Sequence, residues 1–237
     1  MTLHRAPSRI PGPTAITMLK TAVALVLAAA FPLPARADLV LVQRVEGGGQ
    51  SGDQTIYIKD GKSRADLAGS LSLITDAATG DAFTLKHAER TFMKIPAIQS
   101  QAMLAELRKQ RGEAPPPQLQ PTGKKEKVGE YECEIFTADL GKLTVQYWIA
   151  RDFPNAAAIQ QQLAAAQSGA LALASQGLMP DPASFPGLTL KTVLELSGKK
   201  VTTTTVSVRE TPVAATQFEP PRTYKETASP ELQFVPQ

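Results

Sequence analysis

Residues 129–152 read GEYECEIFTADLGKLTVQYWIARD, and their alternation decides the fold. Tyr131, Cys133 and Ile135 fall on one side of an extended chain, and Glu132, Glu134 and Phe136 on the other. After a turn at Asp139-Leu140-Gly141, Leu143, Val145, Tyr147 and Ile149 again share a side. Period-two runs joined by a short turn predict an antiparallel hairpin. Trp148 faces away from Tyr147 and Ile149, alongside Thr144, Gln146 and, across the hairpin, Phe136. Apolar groups on both sides predict a sheet covered on both faces at this point. One cover is an alanine-rich helix; the other is the first helix or a bound hydrophobic molecule. Core packing is the plain reading of Trp148, and a small apolar core residue that of Cys133.

The same chemistry extends toward the N-terminus. DLVLVQRVE (38–46) leads into a turn at Gly47 to Gly49, and QTIYIKDGKSRADLA places Asp60-Gly61 between two alternating segments. Asp-Gly favours a two-residue hairpin, because both central positions need positive φ. SLSLITDAATGDAFTLKH repeats the arrangement around Asp76 to Gly80, and TFMKIP (91–96) closes a meander of five or six strands. AIQSQAMLAELRKQRG (97–112) changes to a helical period, with Arg108, Lys109 and Arg111 in the last turn, where cations suit the helix dipole. A proline-rich connector, residues 113–121, is expected to be extended and exposed.

Beyond the central hairpin, Asn155 to about Gln176 is rich in Ala, Gln and Leu and predicts a long helix, broken near Ser168-Gly169. MPDPASFPG (179–187) is a loop, and LTLKTVLELSGKKVTTTTVSVRE is a final hairpin across Ser197-Gly198. ATQFEPPRTYKE lacks periodicity, and residues 227–237 read as a loosely held tail.

The first 37 residues carry an export signal: Lys20, then an apolar run from Ala22 to Phe31, then Ala35-Arg36-Ala37, with cleavage expected between Ala37 and Asp38. Met18 is a second candidate start. The apolar run is shorter than the roughly 20 residues needed to cross a bilayer, so no membrane span is expected in the mature chain. The leader holds Arg5, Arg9, Lys20 and Arg36 and no acid; without these four of the 25 basic residues, 21 basic stand against 22 acidic side chains. A nearly neutral mature chain without a basic cluster excludes nucleic acid as the expected partner. The expected location is the periplasm or the outside of the cell, and residues 38–226 read as one domain.

Few residues suggest chemistry. After cleavage one histidine, His87, and one cysteine remain. Neither has a recognisable nucleophile elbow, and there is no set of ligands for zinc. Glu130, Glu132 and Glu134 alternate along a strand as a solvent face does. VEGGGQSGDQ lacks the lysine of a phosphate loop. No cofactor is expected, and no catalytic residue; dispersed carboxylates leave a hydrolase as a minor alternative.

Gly129-x-Tyr131-x-Cys133, YWIARDFPN from Tyr147, LELSGKKVTTTTVSV, and the closing Phe218, Pro220, Pro221 and Tyr224 resemble the domain of unknown function 4412. GKSRADL, ITDAATGDAFTL and ERTFMKIP are similar to the opening meander of the wider LolA/LolB-like group of periplasmic lipoprotein carriers. The resemblance implies an α+β fold in which a curved antiparallel sheet, a half-barrel, wraps around two or more helices. It further implies an apolar face for acyl chains and, at Arg64, a residue that helps close a helical lid. The alanine-rich helix, the triple-proline connector and the tail depart from the carrier pattern.

The leading expectation is a non-enzymatic binder of a lipid, lipoprotein acyl chain or other hydrophobic ligand. Its candidate contacts are Ile56, Ile58, Arg64, Phe83, Leu85, Phe92, Val145 and Trp148. The alternative is an envelope structural or protein-interaction domain whose barrel is filled.

Overall fold

The computed structural model describes residues 38–48, 50–111, 117–140, 143–166, 180–181, 184–196 and 198–228. Six strands precede the first helix: β1 (Leu39–Gly47), β2 (Gln50–Lys59), β3 (Lys62–Leu67), β4 (Leu71–Asp76), β5 (Ala82–Lys86) and β6 (Thr91–Ile95). After α1 (Ala97–Arg111) come β7 (Gln120–Val128), β8 (Tyr131–Asp139) and β9 (Leu143–Ala150), then α2 (Ala156–Ala166), β10 (Leu188–Leu196) and β11 (Lys199–Glu210). A 3-10 turn at Ala215–Phe218 and β12 (Lys225–Thr227) complete the described chain. At the β2–β3 turn Asp60 and Gly61 have φ of 48° and 75°, the positive values that the dipeptide predicts.

The twelve strands of the described residues form one curved, unclosed sheet in the order β12-β6-β5-β4-β3-β2-β1-β11-β10-β9-β8-β7. Every pairing is antiparallel except β12 with β6. Register shifts at Val42/Gln43 and Thr189/Lys191 mark irregularities of the kind that bend and twist a sheet. The expectation of a sheet wrapped around several helices is corrected in proportion. The described protein is mostly sheet, with two α-helices among the described residues.

Two further expectations change. The connector ends earlier than residue 121, because Gln120 and Pro121 already pair with Thr137 and Phe136 in β7. Lysines and an edge position hide this strand from a periodicity search, since nearly all of it is exposed. The segment at 215–227, read as irregular, packs Phe218 into a core and adds β12 to the sheet. The leader, the end of the alanine-rich helix and the tail beyond residue 228 lie outside the described residues.

Three apolar clusters flank the sheet. In the first, Leu39, Leu41, Ile58, Cys133, Ile135 and Trp148 pack with Ile159 and Ala166 of α2. In the second, on the other side of β1, Val40, Ile74 and Leu85 pack with Val213 and Phe218. The third joins Phe136, Val145, Tyr147 and Ile149, with Leu119, Leu140 and Phe185 against them. The central hairpin is thus covered on both faces, as its pattern predicts. Its partners are corrected, however: Trp148 stands opposite Ile135, and Phe136 stands opposite Tyr147 on the other face.

Candidate functional site

Alternation and register divide β2–β6 into two faces of opposite character. On one, Tyr57, Arg64, Ile74, Phe83 and Lys94 form a rung, and Thr55, Asp66, Ser72, Leu85 and Phe92 form the next. This face is rich in charge, yet it is the covered one: the C-terminal strap, residues 211–224, packs over it through Val213, Phe218 and Tyr224. Its cations are each matched, Lys59 with Asp38 at 2.7 Å, Lys62 with Asp76 at 3.3 Å, Arg64 with Asp66 at 2.6 Å and Lys94 with Asp81 at 2.7 Å. Lys94 holds the Asp81 carboxyl below its ordinary range, chiefly through that hydrogen bond.

A polar network ties the strap down. Arg64 donates to Ser72 Oγ and to the Gln217 carbonyl, both at 3.1 Å. Ser72 Oγ donates its only proton to Asp66 at 2.5 Å, so His87 Nε2, 2.7 Å from that oxygen, must be the donor to it. His87 Nδ1, 2.7 Å from Tyr224 Oη, then accepts from the tyrosine when the imidazole is neutral. Serine and histidine touch here, but the serine proton points at the carboxylate and Ser72 is wholly buried. The arrangement lacks the base-to-nucleophile geometry of acyl transfer, and it fastens the strap. His87 is engaged with Ser72 and Tyr224, whereas Cys133 lies in the first cluster, its thiol pKa pushed up by burial.

The opposite face of the same strands has three rungs: Gln54, Leu67, Leu71, Lys86 and Thr91; Ile56, Ala65, Leu73, Thr84 and Met93; Ile58, Ser63, Thr75, Ala82 and Ile95. Lys86 is the one charged side chain among them. Around β4 this nearly uncharged face is the more open. Leu67, Leu71 and Leu73 are 37%, 37% and 41% exposed, while on β4 the buried positions are Ser72 and Ile74. Strand β4 is therefore inverted relative to an ordinary half-buried strand, with leucines outward and a serine inward. Helix α2 packs near the Ile58 end, where Ala165 approaches the Asp60-Gly61 turn. At spacings of about 4.8 Å between strands and about 3.3 Å per residue, the face measures about 19 by 13 Å.

The structure does not gather the eight expected contacts into one site. Ile56 and Ile58 lie on the open face, Ile56 half-buried and Ile58 buried. Arg64, Phe83, Leu85 and Phe92 lie on the strap side, with Leu85 wholly buried and Arg64 engaged with the strap. Phe83 and Phe92 floor an open groove of about 540 Å³, walled by Pro220, Pro221 and Tyr224. Val145 belongs to the third cluster. Trp148 is buried, donates from Nε1 to Glu126 at 2.9 Å and lies under Lys191 Nζ, 4.2 Å from the ring centre. It borders a second groove of about 590 Å³, lined also by Gln146, Lys191, Thr202 and Thr204. Sequence reasoning missed Leu67, Leu71, Leu73 and Lys86; the available signal was strand parity, which puts Arg64, Asp66 and Ser72 on one face and these residues on the other.

A family model matches residues 40–224, most of the chain. The protein belongs to DUF4412, a domain of unknown function. No curated protein matches this DUF4412 chain. Among solved structures, PNGF-II is similar at 13% identity and a TM-score of 0.41, over 81% of this chain and 31% of that one. The Pseudomonas aeruginosa MucA/MucB complex matches at 12% identity and 0.37, over 81% and 58%. The Mycobacterium tuberculosis lipoprotein LppX matches at 9% and 0.40, over 75% and 88%. The DUF4412 chain thus spans about a third of the PNGF-II chain. No helix among the described residues is long and apolar enough to cross a membrane.

Proposed function

We propose that this protein is an exported, non-enzymatic binding domain that holds the apolar chain of a lipid-like ligand against the uncharged face of β2–β6. The observation that carries this reading is the inversion of β4. Covering the charged face with a strap and leaving leucines outward wastes apolar burial unless something else covers the leucines. Contiguous exposed apolar patches of this kind mark interaction sites on soluble domains. Ile56, Leu71, Leu73 and Met93 form the floor, and Ile58 beneath α2 closes one end. The sequence resemblance to periplasmic lipoprotein carriers agrees with this reading, as does the expected export leader.

The test uses the mature protein and the hydrophobic probe N-phenyl-1-naphthylamine, displaced by added lipid. Wild type should enhance probe fluorescence saturably, and Leu73→Asp, at an exposed position, should abolish this while folding normally. Saturable binding that Leu73→Asp leaves intact would place the ligand elsewhere. If neither probe nor lipid binds, and Leu73→Asp instead loses a co-purifying envelope protein, the face is an interaction surface.

A further inference from the structure

Across β2–β6 the face that carries the leucines has a single charged side chain, Lys86, and β12 extends its rung with Lys225 beside Thr91. Lys86 is the cross-strand neighbour of Leu71, on the rung that also holds Leu67 and at the end away from α2. Its one carboxylate contact among the described residues is Glu89 at 3.5 Å, with both side chains more than half exposed. Such a contact is weak and readily exchanged. The same β5–β6 turn carries Arg90, exposed and in no ion pair among the described residues, and its carbonyl accepts from the Lys225 amide. At this end Lys86, Arg90 and Lys225 thus stand with Glu89, while Glu226 falls beside Phe92 on the strap-side register. The cations that β2, β3 and β6 turn to the strap side, by contrast, are each held by a carboxylate.

We propose that the ligand of this face is an anion-headed amphipath, an acyl chain ending in a carboxylate or phosphate. Its head group pairs with Lys86, beside Arg90, and its chain lies over Leu71, Leu73 and Ile56 toward α2. This rests on the reading of the open face as a ligand site and adds the charge and direction of the ligand. The physical reason is local: beside an apolar surface an ammonium loses hydration, so an anion that brings its own apolar chain competes well with Glu89.

The experiment compares four dodecyl amphipaths below their micelle concentrations, by calorimetry on the full mature protein: dodecanoate, dodecyl phosphate, dodecyl maltoside and dodecyltrimethylammonium. The anions should bind about fivefold tighter than the maltoside, as one partly exposed ion pair allows. Lys86→Gln should collapse that difference, and Lys86→Glu should turn the preference toward the ammonium. A gain for both anions identifies a general anionic head; a gain for dodecyl phosphate alone identifies a phosphate head. Equal affinity for all four, or an anionic preference that survives Lys86→Gln, overturns the head-group inference while the apolar face stands. If no amphipath binds at all, the reading of the face fails, and the inference with it.

Discussion

Neighbouring residues of β4 offer a controlled perturbation, because Leu73 and Ile74 are adjacent in sequence and opposite in burial. Ile74 is 1% exposed and packs in the second cluster, beneath the strap. Truncation to alanine there leaves a cavity and should cost about 3 kcal/mol, within the range of about 2–5 found for such changes. In a domain of this size that lowers Tm by about 6–12 °C. Leu73 is 41% exposed, so its truncation removes a partial contact and leaves no closed cavity. Its cost should be about 1 kcal/mol, from about 0.8 kcal/mol for each fully buried methylene. Urea titrations of the two variants give the comparison directly. Equal losses would refute the inversion of β4, and with it the claim that the leucine face is open.

Tyr147 carries the one buried side-chain polar atom that lacks a hydrogen-bond partner among the described residues, and burial pushes its pKa up. Tyr147→Phe should therefore stabilise the protein by about 1 kcal/mol, and a loss of that size would mean that the hydroxyl is satisfied. Cys133 is wholly buried, so it should resist thiol reagents in the folded protein, and Cys133→Ala should cost about 1 kcal/mol; rapid labelling of native protein would contradict this. Glu126 accepts from Trp148 and then from Lys191, and both hydrogen bonds hold its carboxyl below the ordinary range. A lowered folded-state pKa gives stability that is present above the unfolded value and is lost as pH falls through the folded one. Emission from Trp148, the single tryptophan, should accordingly stay constant down through the usual carboxylate range and change only below it, and Glu126→Gln should remove the change. A transition at the usual glutamate pKa would refute the pairing.

The sequence made individual strands legible where alternation and turn residues agreed, as at Asp60-Gly61 and in the β8–β9 hairpin. It failed at β7, where lysines on an exposed edge carry no alternation. Cover was the harder problem. Phe83, Leu85 and Phe92 are apolar and alternate with polar residues, so they read as ligand contacts. What buries or walls them is Phe218, Pro220 and Tyr224, more than a hundred residues away in a segment without periodicity. Leu71 and Leu73 escape notice for the converse reason. A strand pattern fixes which residues share a face, while the identity of the covered face depends on distant packing.

The most direct test is native mass spectrometry of the mature protein purified from its own envelope, followed by organic extraction. The account predicts added mass that extracts as an anionic lipid or acyl chain and that is absent from Leu73→Asp. A bare mass for wild type, with no uptake when lipid is supplied, would contradict it.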